Sequence, residues 1–271
     1  MSGKNLTISR TERETLKFIS NHSWFKSQFS FLKSQNGFRK GKMHLLIGPT
    51  GSGKTTFTRS LLIDMIENNP DKKILLYLSE ESLEDLKIEL SKSDFSFQGK
   101  TNVYIISEQD DAMESVNEFF TKVDGCVTKN EIDIIIFDNI TTSDFYNDAS
   151  VRDQGQFAKR IKNYCSAKQI PCLMIAHTDS KVSDNFNGII NETNIRGSKT
   201  ITNLVEFLYI LQRFQIGKKF VQTLRIVKHR GQNPESKLYL LTFDQNKMLY
   251  TKDNSMNFEA FKEAYNERNK L

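Results

Sequence analysis

The chain has 271 residues, with 38 Lys and Arg against 33 Asp and Glu, a formal charge of +5 and a pI near 8.9. That length is enough for one large domain with a sizeable core, and the mild, interspersed basicity excludes a dedicated polycation while leaving nucleic acid open as a partner. The N-terminus lacks an apolar signal core, no apolar run approaches the ~18 residues of a membrane span, and Cys126, Cys165 and Cys172 have no metal-ligand spacing; the expectation is a soluble, cytoplasmic protein with free thiols and no membrane partner.

Residues 1–37 read as a frayed end and a helical extension. Ser9 and Glu12 form a capping-box pattern ahead of Leu16 and Ile19. Trp24, Phe25, Phe29, Phe31 and Leu32 then make an aromatic cluster, expected as a helix pair packed on the chain's own core or on a neighbouring subunit. Phe38 to Lys42 is the turn into the first strand.

Leu45, Leu46 and Ile47 run directly into Gly48, Pro49, Thr50, Gly51, Ser52, Gly53, Lys54 and Thr55, which complete the phosphate-loop pattern G-x-x-x-x-G-K-[ST]. The glycines let backbone N–H groups turn onto phosphates, and the following helix offers its positive N-terminus. Lys54 adds a point charge and Thr55 a hydroxyl for Mg²⁺. These residues and Thr56 are the candidate contacts of a nucleoside triphosphate. Beyond them Phe57 to Ile66 has Leu61, Leu62, Met65 and Ile66 spaced for one buried helix face.

The pattern then alternates. Short apolar runs at Lys73–Leu78, Asn102–Ile106, Ile132–Phe137 and Cys172–Ala176 are separated by helix-like stretches at Leu83–Leu90, Met113–Val123 and Arg152–Lys168. Runs buried on both faces and separated by helices specify an α/β fold with a mostly parallel twisted sheet. After residue 200, Val205–Leu211, Val221–Val227 and Lys237–Phe243 follow one another with only short turns, as antiparallel strands added to one edge do. A final helix, Phe258 to Tyr265, presents Phe258, Phe261 and Tyr265. The domain is placed at 38–250, with the C-terminal helix in 251–271.

Four apolar residues deliver Asp138 to a strand's carboxyl end, where open α/β sheets bind ligands; downstream of a phosphate loop this acid is the candidate for holding Mg²⁺ through water, with Asn139 assisting. Glu80 and Glu81 follow another such strand. Acids also suit the first turn of a helix, but one of the pair is the candidate base for the attacking water, Glu80 first and Glu81 next.

Taken in order, GPTGSGKT (Gly48 to Thr55), LSEES (Leu78 to Ser82), IIIFDN (Ile134 to Asn139), LMIAHT (Leu173 to Thr178), RGSKTITNLVEFLYIL (Arg196 to Leu211) and TLRIVKHRGQ (Thr223 to Gln232) resemble the RecA-like ATPases. Within them the chain resembles the hexameric replicative helicases of DnaB type and the single-domain plasmid-type helicases, and more distantly the KaiC-like ATPases. The resemblance covers about residues 38–245. It implies an ATP-hydrolysing, ring-forming motor, expected as a hexamer, that moves on single-stranded DNA and needs separate loader or primase proteins. It further implies that His177 senses the γ-phosphate, and that Lys228 and Arg230 reach across a subunit boundary to the neighbour's ATP. The loops Ile140–Val151 and Asp179–Ile195 become candidate channel loops, with Lys181, Phe186 and Asn187, and then Arg196 and Lys199, as candidate nucleic-acid contacts. Asp179, Asp184 and Glu192 dilute that charge, which keeps a KaiC-like regulatory ATPase, or a recombinase-like filament, as the alternative.

Overall fold

The computed structural model of the chain describes residues 25–35, 37–178, 189–191, 194, 199–216, 218–230 and 237–268. The expected capping box at Ser9 and the helical positions Leu16, Ile19 and Trp24 lie outside these residues.

In chain order the described elements are α1 (Ser30–Ser34), β1 (Met43–Gly48), α2 (Lys54–Asn68), β2 (Ile74–Leu78), α3 (Leu83–Ser91), β3 (Val103–Ser107), α4 (Val116–Asn130), β4 (Ile134–Asp138), α5 (Asp144–Asn147), α6 (Val151–Lys168) and β5 (Cys172–His177). They continue with α7 (Thr200–Leu204), β6 (Phe207–Ile216), β7 (Lys219–His229), β8 (Lys237–Asp244), β9 (Leu249–Asn257) and α8 (Phe258–Arg268). Strands β1, β2 and β4 are buried at every position, which their near-continuous apolar sequence requires of central parallel strands. Among the described residues the sheet has nine strands, in the order β3-β2-β4-β5-β1-β6-β7-β8-β9.

The antiparallel edge begins one strand later than the sequence pattern indicates. β6 pairs parallel with β1, and the antiparallel run is β7, β8 and β9. β9 has no counterpart among the sequence-based strands because Thr251 to Ser255 are all polar. As the outer strand it needs only one face apolar, and it buries Leu249, Tyr250 and Asp253.

Side chains alternate across the sheet and build two cores. One face places Leu46, Leu76, Ile136, Ile175 and Tyr209 under α2 and α3; the other places Leu45, Ile47, Tyr77, Phe137 and Met174 under α4, α6 and α7. The result is a three-layer α/β sandwich with both faces of the parallel half covered. A smaller cluster of Phe214 and Leu238 holds α8 through Phe261 and Tyr265.

The aromatic segment before β1 packs on the chain's own core. Phe31 lies 5.6 Å from Tyr209, 5.8 Å from Phe57 and 6.1 Å from Tyr239, ring centre to ring centre. Two buried acids tie it down. Asp64 accepts from Ser27 Oγ at 2.5 Å and from the Gln28 N–H at 2.9 Å, and Asp253 accepts from the N–H groups of Ser30 and Phe31.

His44, fully buried in β1, is part of the same packing. Its Nδ1 lies 2.8 Å from the Tyr209 hydroxyl, that hydroxyl donates to Gln35 Oε1 at 2.8 Å, and Nε2 accepts the Arg39 N–H at 3.3 Å. This chain of bonds suits a neutral imidazole protonated at Nδ1. Burial, reinforced by the positive charges of Arg39 and His229, holds the pKa of His44 well below 6.5. An unfolded chain titrates at the ordinary value, so as pH falls the unfolded state takes up the proton first. The stability His44 contributes is therefore complete above pH 6.5 and is lost below it. The thermal midpoint should fall between about pH 7.5 and about pH 5.5, and fall less steeply in His44→Gln; equal slopes in the two proteins would contradict this.

Candidate active site

The phosphate loop leaves the carboxyl end of β1 and enters α2 without a side-chain cap, so the first N–H groups of a 15-residue helix are left for an anion. Gly51 and Gly53 have φ of 73° and 82°, in the left-handed region that favours glycine. Gly48 is required for a different reason: a Cβ there would run into the Leu211 carbonyl and the Ser52 hydroxyl. Lys54 folds back into the loop, donating to the carbonyls of Gly48 and Pro49 at 2.8 Å each, and its Nζ lies 2.9 Å from His177 Nδ1. Burial brings its pKa down to about 8 against the opposing pull of Asp138 and Glu80.

Parallel register brings the other groups to the same end of the sheet. His177 is level with Gly48 in the β1–β5 pair, and Asp138 is level with Leu78 in the β2–β4 pair. Glu80 therefore projects next to both. Its Oε1 accepts from Asn139 Nδ2 at 3.1 Å and lies 3.4 Å from His177 Nε2. With Nδ1 turned to the Lys54 ammonium, His177 presents Nε2–H to Glu80, and this contact holds the Glu80 carboxyl below its usual range. Glu81 points elsewhere, accepting from Arg59 Nη2 at 2.6 Å, and burial raises its pKa despite that partner. Asp138 is buried, and burial together with the Glu81 and Glu80 charges raises its pKa to about 7.

Lys228 and Arg230 are not part of this cluster. Lys228 is level with Leu208, which is level with Leu45, three residues before Gly48; at about 3.3 Å per residue it sits roughly 10 Å back along the sheet from its own phosphate loop, and Arg230, whose N–H bonds the Glu206 carbonyl, sits farther back. There they bond the carbonyls at the end of α7, Lys228 Nζ to Thr202 O at 2.5 Å and Arg230 Nη2 to Asn203 O at 2.6 Å.

Of the five candidate nucleic-acid contacts, Lys181, Phe186, Asn187 and Arg196 lie outside the described residues, and Lys199 is exposed at the start of α7. The loop Ile140–Val151 is less available than the sequence suggests. Ile140, Thr141, Ser143 and Tyr146 are buried, and the exposed positions among its described side chains are Asn147, Asp148, Ser150 and Val151. Thr141 Oγ1 accepts the His177 N–H at 3.1 Å, so this loop contacts the end of β5 directly.

A feature absent from the sequence reading is a cleft of about 660 Å³ between the outer side of the phosphate loop and strands β6 to β9. Arg213 stacks over the Phe220 ring at 4.8 Å, while Phe243 and Tyr250 form an edge-on pair 5.4 Å apart. Phe220 is 57% exposed and Phe243 40%, so both rings are accessible from the cleft. Gln222, buried in the same wall, has an amide nitrogen with no partner. Exposed aromatics on β7 and β8 were the available signal, but Tyr250 enters only once β9 is recognised.

These residues fit a nucleotide and its magnesium ion. The uncapped helix start and the partnerless Ser52 hydroxyl face a cradle in which a Cβ on Gly53 would approach Tyr250 Oη to 3.0 Å. Among the described residues no group of three or more His, Cys, Asp and Glu could hold a metal alone; a sparse set such as the Thr55 hydroxyl and the Asp138 carboxylate suits Mg²⁺ where phosphate oxygens and water complete its shell. Nor is any described helix long and apolar enough to cross a membrane. Residues 13–182, more than half of the chain and the part that includes the phosphate loop, Glu80, Asp138 and His177, match the family model described as AAA domain, and the chain therefore belongs to that family of phosphate-loop ATPases.

Proposed function

We propose that the protein is a ring-forming motor that hydrolyses ATP and translocates on single-stranded DNA as a helicase of the DnaB or plasmid type. The observation that carries the reading is the division of the catalytic groups. The phosphate loop, Glu80, Asp138 and His177 meet at one end of the sheet, while Lys228 lies at the level of Leu45 and Arg230 beyond it, both away from their own loop. A basic pair so placed is of use to a neighbour's phosphates, which requires an oligomer.

Within the site the roles follow from the partners. The loop N–H groups and Lys54 bind the phosphates. The Thr55 hydroxyl and the Asp138 carboxylate would hold Mg²⁺, which would supply charge neutralisation for the phosphate oxygens. Glu80 stays ionised because His177 donates to it, and it is the carboxylate free to take a proton from water, since Glu81 is engaged with Arg59. His177 touches both Lys54 and Glu80, and its N–H bond to Thr141 connects phosphate occupancy to the loop after β4. The aromatic cleft takes the base and ribose.

The test is strand displacement on a forked DNA duplex with ATP and Mg²⁺. Displacement that is lost with a non-hydrolysable analogue is expected. Nucleotide-dependent assembly with no effect on or of DNA would overturn the helicase reading and favour a KaiC-like assembly switch, and open helical particles would favour a recombinase-like filament.

A further inference from the structure

Glu80 and Glu81 are adjacent, chemically alike and on the same turn, yet they diverge. The backbone of that turn is tied at each residue. The Ser79 N–H donates to the Asp138 carbonyl at 3.1 Å, Gln109 Nε2 to the Glu80 carbonyl at 2.7 Å, and Ser107 Oγ to the Glu81 carbonyl at 3.0 Å. Ser82 then starts α3 with a capping box closed by Asp85. What these bonds do not decide is which acid turns toward Lys54.

Arg59 decides it. Its guanidinium projects from α2, five residues after Lys54, and binds Glu81 Oε2 at 2.6 Å through Nη2 while Nη1 lies 3.6 Å from Glu89 on α3. Arg59 and Glu81 are 19% and 16% exposed in their side chains, so the pair is largely shielded from water, and Glu80 at 47% remains open on the other side. A shielded pair with good geometry fixes orientation far more firmly than a surface ion pair. We infer that Arg59 and Glu81 form a positioning pair that fastens the glutamate turn to the phosphate-binding helix and so directs Glu80 at the site of hydrolysis.

In this role the pair acts through Glu80. It rests on the proposed hydrolytic function. The consequence is a split: loosening the pair leaves the phosphate loop intact and misplaces the base, and misplacement of a reacting group by a fraction of its length costs on the order of tenfold or more in rate.

The experiment measures kcat, KM for ATP and the Kd of a non-hydrolysable analogue for the parent, Glu80→Gln, Arg59→Gln, Arg59→Lys, Glu81→Gln and the double variant Arg59→Gln/Glu81→Gln, with thermal midpoints alongside. Expected are a loss in kcat of about tenfold for Arg59→Gln and Glu81→Gln with Kd within about twofold, partial recovery in Arg59→Lys, and a double variant no slower than the slower single one. Single variants within about twofold of the parent in kcat, losses that multiply in the double variant, or Kd rising in step with the fall in kcat would overturn the pair. If Arg59→Gln does not fold, Glu81→Gln and Arg59→Lys decide the matter by the same criteria. A parent whose turnover is abolished by Glu80→Gln but indifferent to the pair defeats this inference alone. A parent without turnover defeats the hydrolytic function and the pair with it.

Discussion

Glu80→Gln is expected to bind ATP within about threefold of the parent and to hydrolyse it roughly 10²- to 10⁴-fold more slowly, the range of a lost general base. The substitution is close to isosteric. His177 Nε2–H can still donate to the amide oxygen, so the arrangement of Lys54, His177 and Thr141 survives and only the capacity to accept a proton is removed. Measured binding and single-turnover hydrolysis separate the two effects. Glu81→Gln is the internal control: it should slow the reaction far less, because that carboxylate is already committed to Arg59. A dead Glu81→Gln beside an active Glu80→Gln would reverse the assignment.

The largest effect is expected from Arg230→Ala. An arginine supplied to a neighbour's phosphates is worth roughly 10³-fold or more in turnover, since a guanidinium stays charged and bonds two oxygens at once. Arg230→Ala subunits should bind ATP normally and fail to hydrolyse it. Mixed with Glu80→Gln subunits, which are inactive for a different reason, they should recover activity, because some interfaces then combine an intact Glu80 with a neighbour's intact Arg230. Arg230 also bonds the Asn203 carbonyl, so thermal midpoints accompany the mixing. Two inactive variants that remain inactive when mixed would contradict a site shared between subunits.

How much of this was legible in the sequence depended on how far each feature is local. The phosphate loop is entirely local: Gly48, Gly53, Lys54 and Thr55 are fixed by spacing, and each glycine proves to have its own steric or conformational reason. The parallel strands were legible because burial on both faces leaves almost no polar residue in Ile74–Leu78 or Ile134–Asp138. β9 was not, because an outer strand needs few apolar residues and its Thr251 to Ser255 resemble a loop. With β9 went Tyr250 and the aromatic cleft. The preference for Glu80 over Glu81 rested on little in the sequence, since what separates them is Arg59, 22 residues away along the chain and in contact only after α2 and the turn meet. In the loop Ile140–Val151 composition hides burial: polar Thr141 and Ser143 are both buried, with Thr141 tied to His177 and to Asn139 Oδ1 and Ser143 bonded to Glu108.

Family membership and the site at the end of the sheet make this an ATPase domain; motion on DNA is the further claim. It is tested most directly by the steady-state rate of ATP hydrolysis of the full chain at low salt, with and without oligothymidine. The expected result is a rate that rises several-fold with oligothymidine, falls back as salt screens the phosphates, and vanishes in Glu80→Gln. Hydrolysis that proceeds at the same rate with and without oligothymidine would contradict it.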